Sequence, residues 1–215
     1  MQIQRNSIFL YLILLLNIGC TNKQPFAFQN GDLFFQNLDS SPLCEAIELV
    51  TSGFNNGDFS HMGILIQINK KKYILEAFVN GVDTVPLNIF LNRSVNKKQK
   101  PKVIVGRLKK EHSHLIKPAI ELGLKLINTK YDDEFNINND KLYCSELIYE
   151  IFYQANNKKP IFQLEPMTYK YQGETLEAWI EYFQKLNIPI PENQLGINPG
   201  GISLSEKLNI IYNYQ

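Results

Sequence analysis

Two hydrophobic periods alternate along the chain, and the switches between them lay out its elements. Gly31-Asp32 ahead of Leu33-Phe34-Phe35-Gln36 reads as a turn leading into a short strand. Pro42 followed by Leu43, Ala46, Ile47 and Val50 has helical spacing with proline in the first turn, and this helix ends before Gly53. Phe54 to Asp58 is a loop. The apolar runs Met62 to Ile68 and Tyr73 to Phe78 flank a turn within Asn69 to Lys72, which predicts a hairpin. A further strand at Val82 to Val85, a short helix over Pro86 to Asn92 and a strand at Val103 to Leu108 follow, the last after the basic loop Asn96 to Lys102.

From Leu115 to Ile127 the period becomes helical, with Leu115, Ala119, Leu122, Leu126 and Ile127 on one face and Pro118 tolerable in the first turn. A loop through Tyr131-Asp132 and the Asn-rich Asn136 to Asp140 leads to a second helix, whose apolar face carries Cys144, Leu147, Ile148, Ile151, Phe152 and Ala155. Cys144 lies in its first turn. A helix around Glu174 to Leu186, a Pro- and Gly-rich stretch from Pro189 to Gly201 and a short helix from Ser203 onward complete the expectation. Strands first, with helices between and after, argue for an α+β domain.

The N-terminus follows neither pattern. Arg5 precedes nine unbroken apolar residues, Ile8 to Leu16, and then Asn17-Ile18-Gly19-Cys20. That run is too short for a spanning helix of about 18 or more residues and suits a secretory h-region of about 7–15. Gly19-Cys20 followed by Thr21-Asn22-Lys23-Gln24 resembles the lipobox of bacterial lipoproteins, with Asn17 standing where that motif has an apolar residue. The resemblance implies a signal peptide over 1–19, lipidation of Cys20, a tether over 20–30 and a folded domain over 31–215. The expected location is the bacterial cell envelope, membrane-anchored and facing the periplasm or exterior.

Composition narrows the function. The 215 residues carry 22 basic and 21 acidic side chains, and 44% are apolar. With no large cationic face to neutralise phosphates, nucleic acid is not an expected partner. Removal of Arg5 with the leader would leave 21 basic against 21 acidic residues, and Cys44 and Cys144 as the remaining cysteines. A disulfide between them competes with a catalytic role for either.

The surroundings of each cysteine differ. In a helix's first turn the free N–H groups and the dipole favour a thiolate, and Cys144 is placed there. Cys44, inside a short amphipathic helix, reads as a small packing residue. A thiolate nucleophile needs a base and a third group to fix the imidazole. His112 and His114 lie in the polar run Glu111-His112-Ser113-His114, whereas His61 opens an apolar strand and Glu76 is embedded in the paired one. Buried carboxylates need partners. If the hairpin turn is Asn69-Lys70, Ile68 faces Lys71, Gly63 faces Glu76 and His61 faces Phe78. His61 and Glu76 are then diagonal neighbours within about 7–8 Å at Cα. No metal is expected, because C-x-x-C, H-x-x-x-H and H-E-x-x-H spacings are absent; no glycine-rich phosphate loop or other cofactor signature is present either.

The ordered set Gly31-Asp32-Leu33-Phe34-Phe35-Gln36, Phe59-Ser60-His61-Met62-Gly63-Ile64, Leu75-Glu76-Ala77, Tyr131-Asp132 with Phe135, and Tyr143-Cys144-Ser145-Glu146-Leu147 resembles the YiiX/YebB-like branch of the NlpC/P60 superfamily, the permuted papain-like amidases. The resemblance runs from about Gly31 to the Pro199–Ser203 region. It implies a circularly permuted papain-like fold, an antiparallel sheet packed against helices, in which histidine and glutamate precede the cysteine. It further implies Cys144 as nucleophile, His61 as general base and Glu76 as the orienting third residue. Tyr131 and Tyr143 are expected to line the substrate site, with Gln36 as an additional oxyanion donor. The expected activity is hydrolysis of an amide in the envelope through a thioacyl intermediate. A lipid or N-acyl amide hydrolase or acyltransferase, and a catalytically silent binding lipoprotein, are the alternatives.

Overall fold

The computed structural model describes residues 26–214. The expected signal peptide, Cys20 and most of the expected tether lie outside the described residues. Among the described residues, ten strands and six α-helices run in the order β1 (Leu33–Gln36), α1 (Pro42–Val50), β2 (His61–Ile68), β3 (Lys71–Phe78), β4 (Gly81–Pro86), α2 (Leu87–Asn92), β5 (Val103–Leu108), α3 (Ile116–Lys125), α4 (Cys144–Ala155), β6 (Glu165–Pro166), β7 (Lys170–Tyr171), β8 (Glu174–Thr175), α5 (Glu177–Leu186), β9 (Leu195–Gly196), α6 (Pro199–Ser203) and β10 (Leu208–Asn213).

The central element is a six-stranded sheet ordered β10-β5-β1-β2-β3-β4, antiparallel at every pairing. Its register is set by the β2–β3 turn, where Asn69 and Lys70 both take positive φ (50° and 66°) and pair Ile68 with Lys71. Two consecutive left-handed residues match the twist of the flanking strands. From that turn, Ile64 pairs with Leu75, so the start of β2, which carries His61, lies beside the end of β3, which carries Glu76.

Helix α4 packs on β2 and β3 and against α3, and its buried residues Leu147, Ile148, Ile151 and Phe152 join Met62, Ile64, Leu75 and Ala77 in the main core. A smaller cluster, Phe34, Leu65, Ile74, Phe90, Val103 and Val105, brings α2 onto the sheet. Full burial of each large apolar side chain contributes about 1.5–3 kcal/mol, which fixes both helices that carry site residues.

The C-terminal part departs from the sequence expectation. The helix expected from Glu174 begins at Glu177, because Gln172 and Gly173 take positive φ (53° and 90°) and fold Lys170–Tyr171 back on Glu174–Thr175. The helix expected from Ser203 ends there instead. Pro199 occupies its first turn, the Asn198 side chain accepts from Gly201 N–H at 2.7 Å, and Leu208–Asn213 is an edge strand of the main sheet. A bulge between Ile210 and Tyr212 breaks the alternation that marks a strand in sequence.

Candidate active site

Cys144 opens α4 and is buried. Tyr143 before it is extended, and its carbonyl accepts the first helical bond from Leu147 N–H at 2.9 Å. The Glu146 carboxylate folds back to accept from Tyr143 N–H at 3.2 Å, as in a capping box. First-turn N–H groups have no acceptor within a helix, so a negative sulfur or oxygen is favoured beside Cys144.

His61, 2% exposed, directs Nε2 at Glu76 Oε2 over 2.7 Å, and Glu76 is itself 3% exposed. That leaves Nδ1 uncommitted, with Cys144 near enough to the ring to raise its pKa. Gly63 permits the convergence: a Cβ there would lie 2.3 Å from Ile74 Cγ2, 2.9 Å from the Leu75 carbonyl and 3.2 Å from Glu76 Cβ. The imidazole is walled by Phe78 and Phe90, with ring centroids 4.9 and 5.8 Å away.

Arg93, at the end of α2, extends the row and is absent from the sequence expectation. Its Nη1 donates to Glu76 Oε2 at 2.7 Å and its Nη2 to Oε1, while the guanidinium lies 4.3 Å from the Phe78 ring centroid. Both carboxylate oxygens of Glu76 are therefore engaged by cationic or cation-forming groups.

The protonation states follow. Burial by itself disfavours the charged ring of His61, but hydrogen bonds to Cys144 and Glu76 and the charges of both outweigh it, raising the imidazole from 6.5 to about 9. Burial would raise Glu76, yet the His61 bond and the Arg93 clamp hold it below its ordinary value. His61 is thus an imidazolium at neutral pH and Glu76 a carboxylate. Glu146 goes the other way. Burial, with Asp132 and Glu150 nearby, raises its carboxyl to about 8 despite the Tyr143 N–H.

A pocket of about 120 Å³ opens beside Cys144. Ile47 and Val50 of α1, Tyr131 and Phe135 of the loop before α4, and Met167, Tyr169, Trp179 and Ile197 from the C-terminal third form most of its wall. Phe135, left-handed at φ 53°, packs edge-on against Tyr143, Trp179 and Phe183. The Asp132 carboxylate anchors that loop by accepting from Glu134 N–H, Asn136 N–H and Asn139 Nδ2 at 3.0, 2.7 and 3.1 Å.

Of the other residues expected at the site, Tyr131 and Tyr143 both line this pocket, their phenols raised well above 10 chiefly by burial. The Tyr143 hydroxyl accepts from Ile197 N–H at 3.1 Å, making it a strut between α4 and the segment after β9. Gln36 is buried and pairs across the ladder with His61, and one N–H of its Nε2 donates to the Phe90 carbonyl at 2.8 Å. Cys44 and Cys144 are both free thiols. Cys44 is half-buried with its sulfur 3.4 Å from the hydroxyls of Ser40 and Ser41, and is not the enclosed packing residue that the sequence suggested. His112 and His114 lie in a short 3-10 segment, Lys110–Leu115.

Residues 27–212 match the family described as "permuted papain-like amidase enzyme, YaeF/YiiX, C92 family". The chain belongs to this family. A curated relative of this chain, the uncharacterized protein YiiX of Escherichia coli K12, is 27% identical over 183 residues, covering 85% of each chain. The crystal structure described as metalloprotein yiiX from Escherichia coli O157:H7 shares the fold, with a TM-score of 0.68 and 23% identity over 86% of this chain and 96% of that one. The C92 match spans the sheet, α4 and the pocket walls alike.

Proposed function

We propose that the chain is a cysteine amidase of the bacterial envelope, held at the membrane by lipid on Cys20 and acting through a thioacyl intermediate. Cys144 is the nucleophile, His61 the general acid and base, and Glu76 the residue that orients His61. The observation that carries the reading is the 2.7 Å bond between Glu76 Oε2 and His61 Nε2, which leaves the other ring nitrogen for the nearby thiol at a helix start.

In the first step the Cys144 thiolate attacks the amide carbon, and the oxygen gathers negative charge against the first-turn N–H groups of α4. The imidazolium of His61 then gives its proton to the leaving nitrogen as the C–N bond breaks, leaving a thioester and a neutral ring. Water, losing a proton to His61, attacks the thioester and releases the acid, and the proton returned to the pair restores thiolate and imidazolium. Glu76 remains a carboxylate throughout and stabilises the ring each time it is charged.

The metalloprotein description of the Escherichia coli structure raises a metal as an alternative. The residues here do not fit one. Both oxygens of Glu76 are committed to Arg93 and His61, and among the described residues no three His, Cys, Asp or Glu side chains are grouped to hold an ion. No step is derived through a metal.

The test is hydrolysis of a panel of amides by the wild type and by Cys144→Ala, His61→Ala and Cys44→Ala. The first two variants lose activity by at least about a thousandfold, and Cys44→Ala stays within about twofold. Equal inactivation by Cys44→Ala would remove the assignment.

A further inference from the structure

We infer that the pocket beside Cys144 holds the acyl group of a neutral N-acyl amide, and that Trp179 Nε1 donates a hydrogen bond to an oxygen on that group. The inference deepens the amidase reading and rests on it for the bond that is cut, but not for what the pocket binds.

Three observations carry it. First, the wall holds no cationic side chain; its only carboxylate, Glu165, is exposed. A carboxylate entering here would lose its water without gaining a partner, which is costly. Envelope stem peptides carry several carboxylates and are poorly matched to such a wall. Second, most of the polar side chains that line the pocket are already occupied. Thr51 donates to the Ile47 carbonyl at 2.7 Å, Ser60 to Glu48 at 2.7 Å and Ser145 to the Ile197 carbonyl at 2.9 Å, Thr168 donates to Glu192 at 2.9 Å, and Asn198 caps α6.

Third, Trp179 is an exception. It is 3% exposed and lines the pocket, yet its indole N–H has no acceptor among the described residues. Buried polar groups are almost always paired, so an orphan donor marks a place for a ligand atom. Its ring is fixed edge-on against Tyr169 and Phe135, at centroid distances of 4.9 and 5.8 Å. The volume of about 120 Å³ is close to the ~150 Å³ apolar cavity that accepts benzene, so roughly six heavy atoms fit. A short hydrocarbon segment with one acceptor oxygen matches the lining, the size and the unused donor together.

Trp179 is the only tryptophan in the chain, so its fluorescence reports on this pocket without turnover. The experiment titrates Cys144→Ala protein with N-hexanoylglycinamide, with its N-adipoyl counterpart, which ends in a carboxylate, and with analogues in which an ether oxygen replaces each chain methylene in turn. The neutral hexanoyl amide is expected to change the emission saturably and to bind at least about tenfold more tightly than the adipoyl amide. One oxygen position is expected to bind best. By calorimetry, Trp179→Phe in the same background should weaken that analogue by about two- to tenfold and leave the all-carbon amide unchanged. Equal or tighter binding of the adipoyl amide, no saturable response to any neutral amide, or an oxygen preference that survives Trp179→Phe overturns the inference. If Trp179→Phe fails to fold, the charge comparison in Cys144→Ala alone decides it. Selective binding without hydrolysis by the wild type would overturn the amidase reading and leave the pocket assignment standing; hydrolysis without selectivity would do the reverse.

Discussion

Arg93 offers the sharpest test of the row Cys144–His61–Glu76, because it touches neither the thiol nor the ring in a hydrogen bond and reaches both only through Glu76. Replacing it with methionine keeps most of the stem that covers Phe78 but removes two charge-assisted bonds from a carboxylate that is 3% exposed. Breaking a buried pair costs about 3–5 kcal/mol. The Arg93 side chain is 20% exposed, so water enters the gap and the low end, about 3 kcal/mol of folding stability, is expected. The same loss removes the nearest permanent cation from Glu76. Its carboxyl pKa then rises.

The consequence for chemistry has a sign. With Arg93 present, Glu76 stays ionised as the pH falls and continues to support the imidazolium. Without it, Glu76 takes up a proton at higher pH, and the acid limb of Cys144 reactivity moves upward. Iodoacetamide alkylation of Cys144, followed by mass spectrometry so that Cys44 is counted separately, measures this without any assumption about substrate. Arg93→Met should shift the limb to higher pH and reduce the neutral-pH rate about tenfold or more. Arg93→Lys restores the charge but not the fork, so it should recover the limb while recovering only part of the rate. A purely structural role predicts lower stability in both variants with an unmoved limb, and that result would refute the positioning argument.

Two further outcomes come from neighbouring residues. Glu146 has a folded-state value of about 8 against 4.5 in the unfolded chain, so its favourable contribution is complete below about 4.5 and is lost as pH rises through 8. Glu146→Gln keeps the acceptor for Tyr143 N–H and removes the buried acid; urea unfolding should show the variant more stable than wild type by on the order of 1 kcal/mol or more at pH 8 and no more stable at pH 4. In Gly63→Ala the new Cβ meets Ile74 at 2.3 Å and the Leu75 carbonyl at 2.9 Å. The strands must part, costing about 1–3 kcal/mol in the same assay, and the His61 ring signal in NMR should move as its bond to Glu76 lengthens.

How far the sequence carried depends on how local each feature is. The hairpin was legible because Asn69-Lys70 is a two-residue turn between clean apolar runs, and a turn of that length dictates the partner of every residue back to Ile64. Helix α4 was legible from its period, and Cys144's place at its start from the polar loop before it. Arg93 was not legible. It follows a short helix whose apolar residues give no hint that the next side chain turns inward, and its partner Glu76 is 17 residues back across an intervening strand. Strand β10 was hidden by its bulge, and the Met167–Trp179 wall by a segment of two-residue strands too short for any period to register. The bond from Gln36 to the Phe90 carbonyl was hidden for a related reason: the position of Gln36 opposite His61 follows from strand pairing, but that bond depends on a helix that packs from 54 residues away.

That distribution of legible and hidden features has a functional meaning. His61, Glu76 and Arg93 all come from β2 to the end of α2, and they hold one another through bonds among themselves. Met167, Tyr169, Trp179 and Ile197 come from a later stretch that is tied to α4 where Ser145 and Tyr143 bond to Ile197. The proposed chemistry and the proposed selectivity therefore sit on separate lengths of chain joined at the cysteine helix. A change at Met167 or Trp179 can reshape what the pocket takes without altering the 2.7 Å bond that orients His61. The reverse does not hold. Tyr143 and Ser145 flank the nucleophile and brace the pocket, so loss of the Tyr143 hydroxyl frees the chain at Ile197 and perturbs binding and reactivity together.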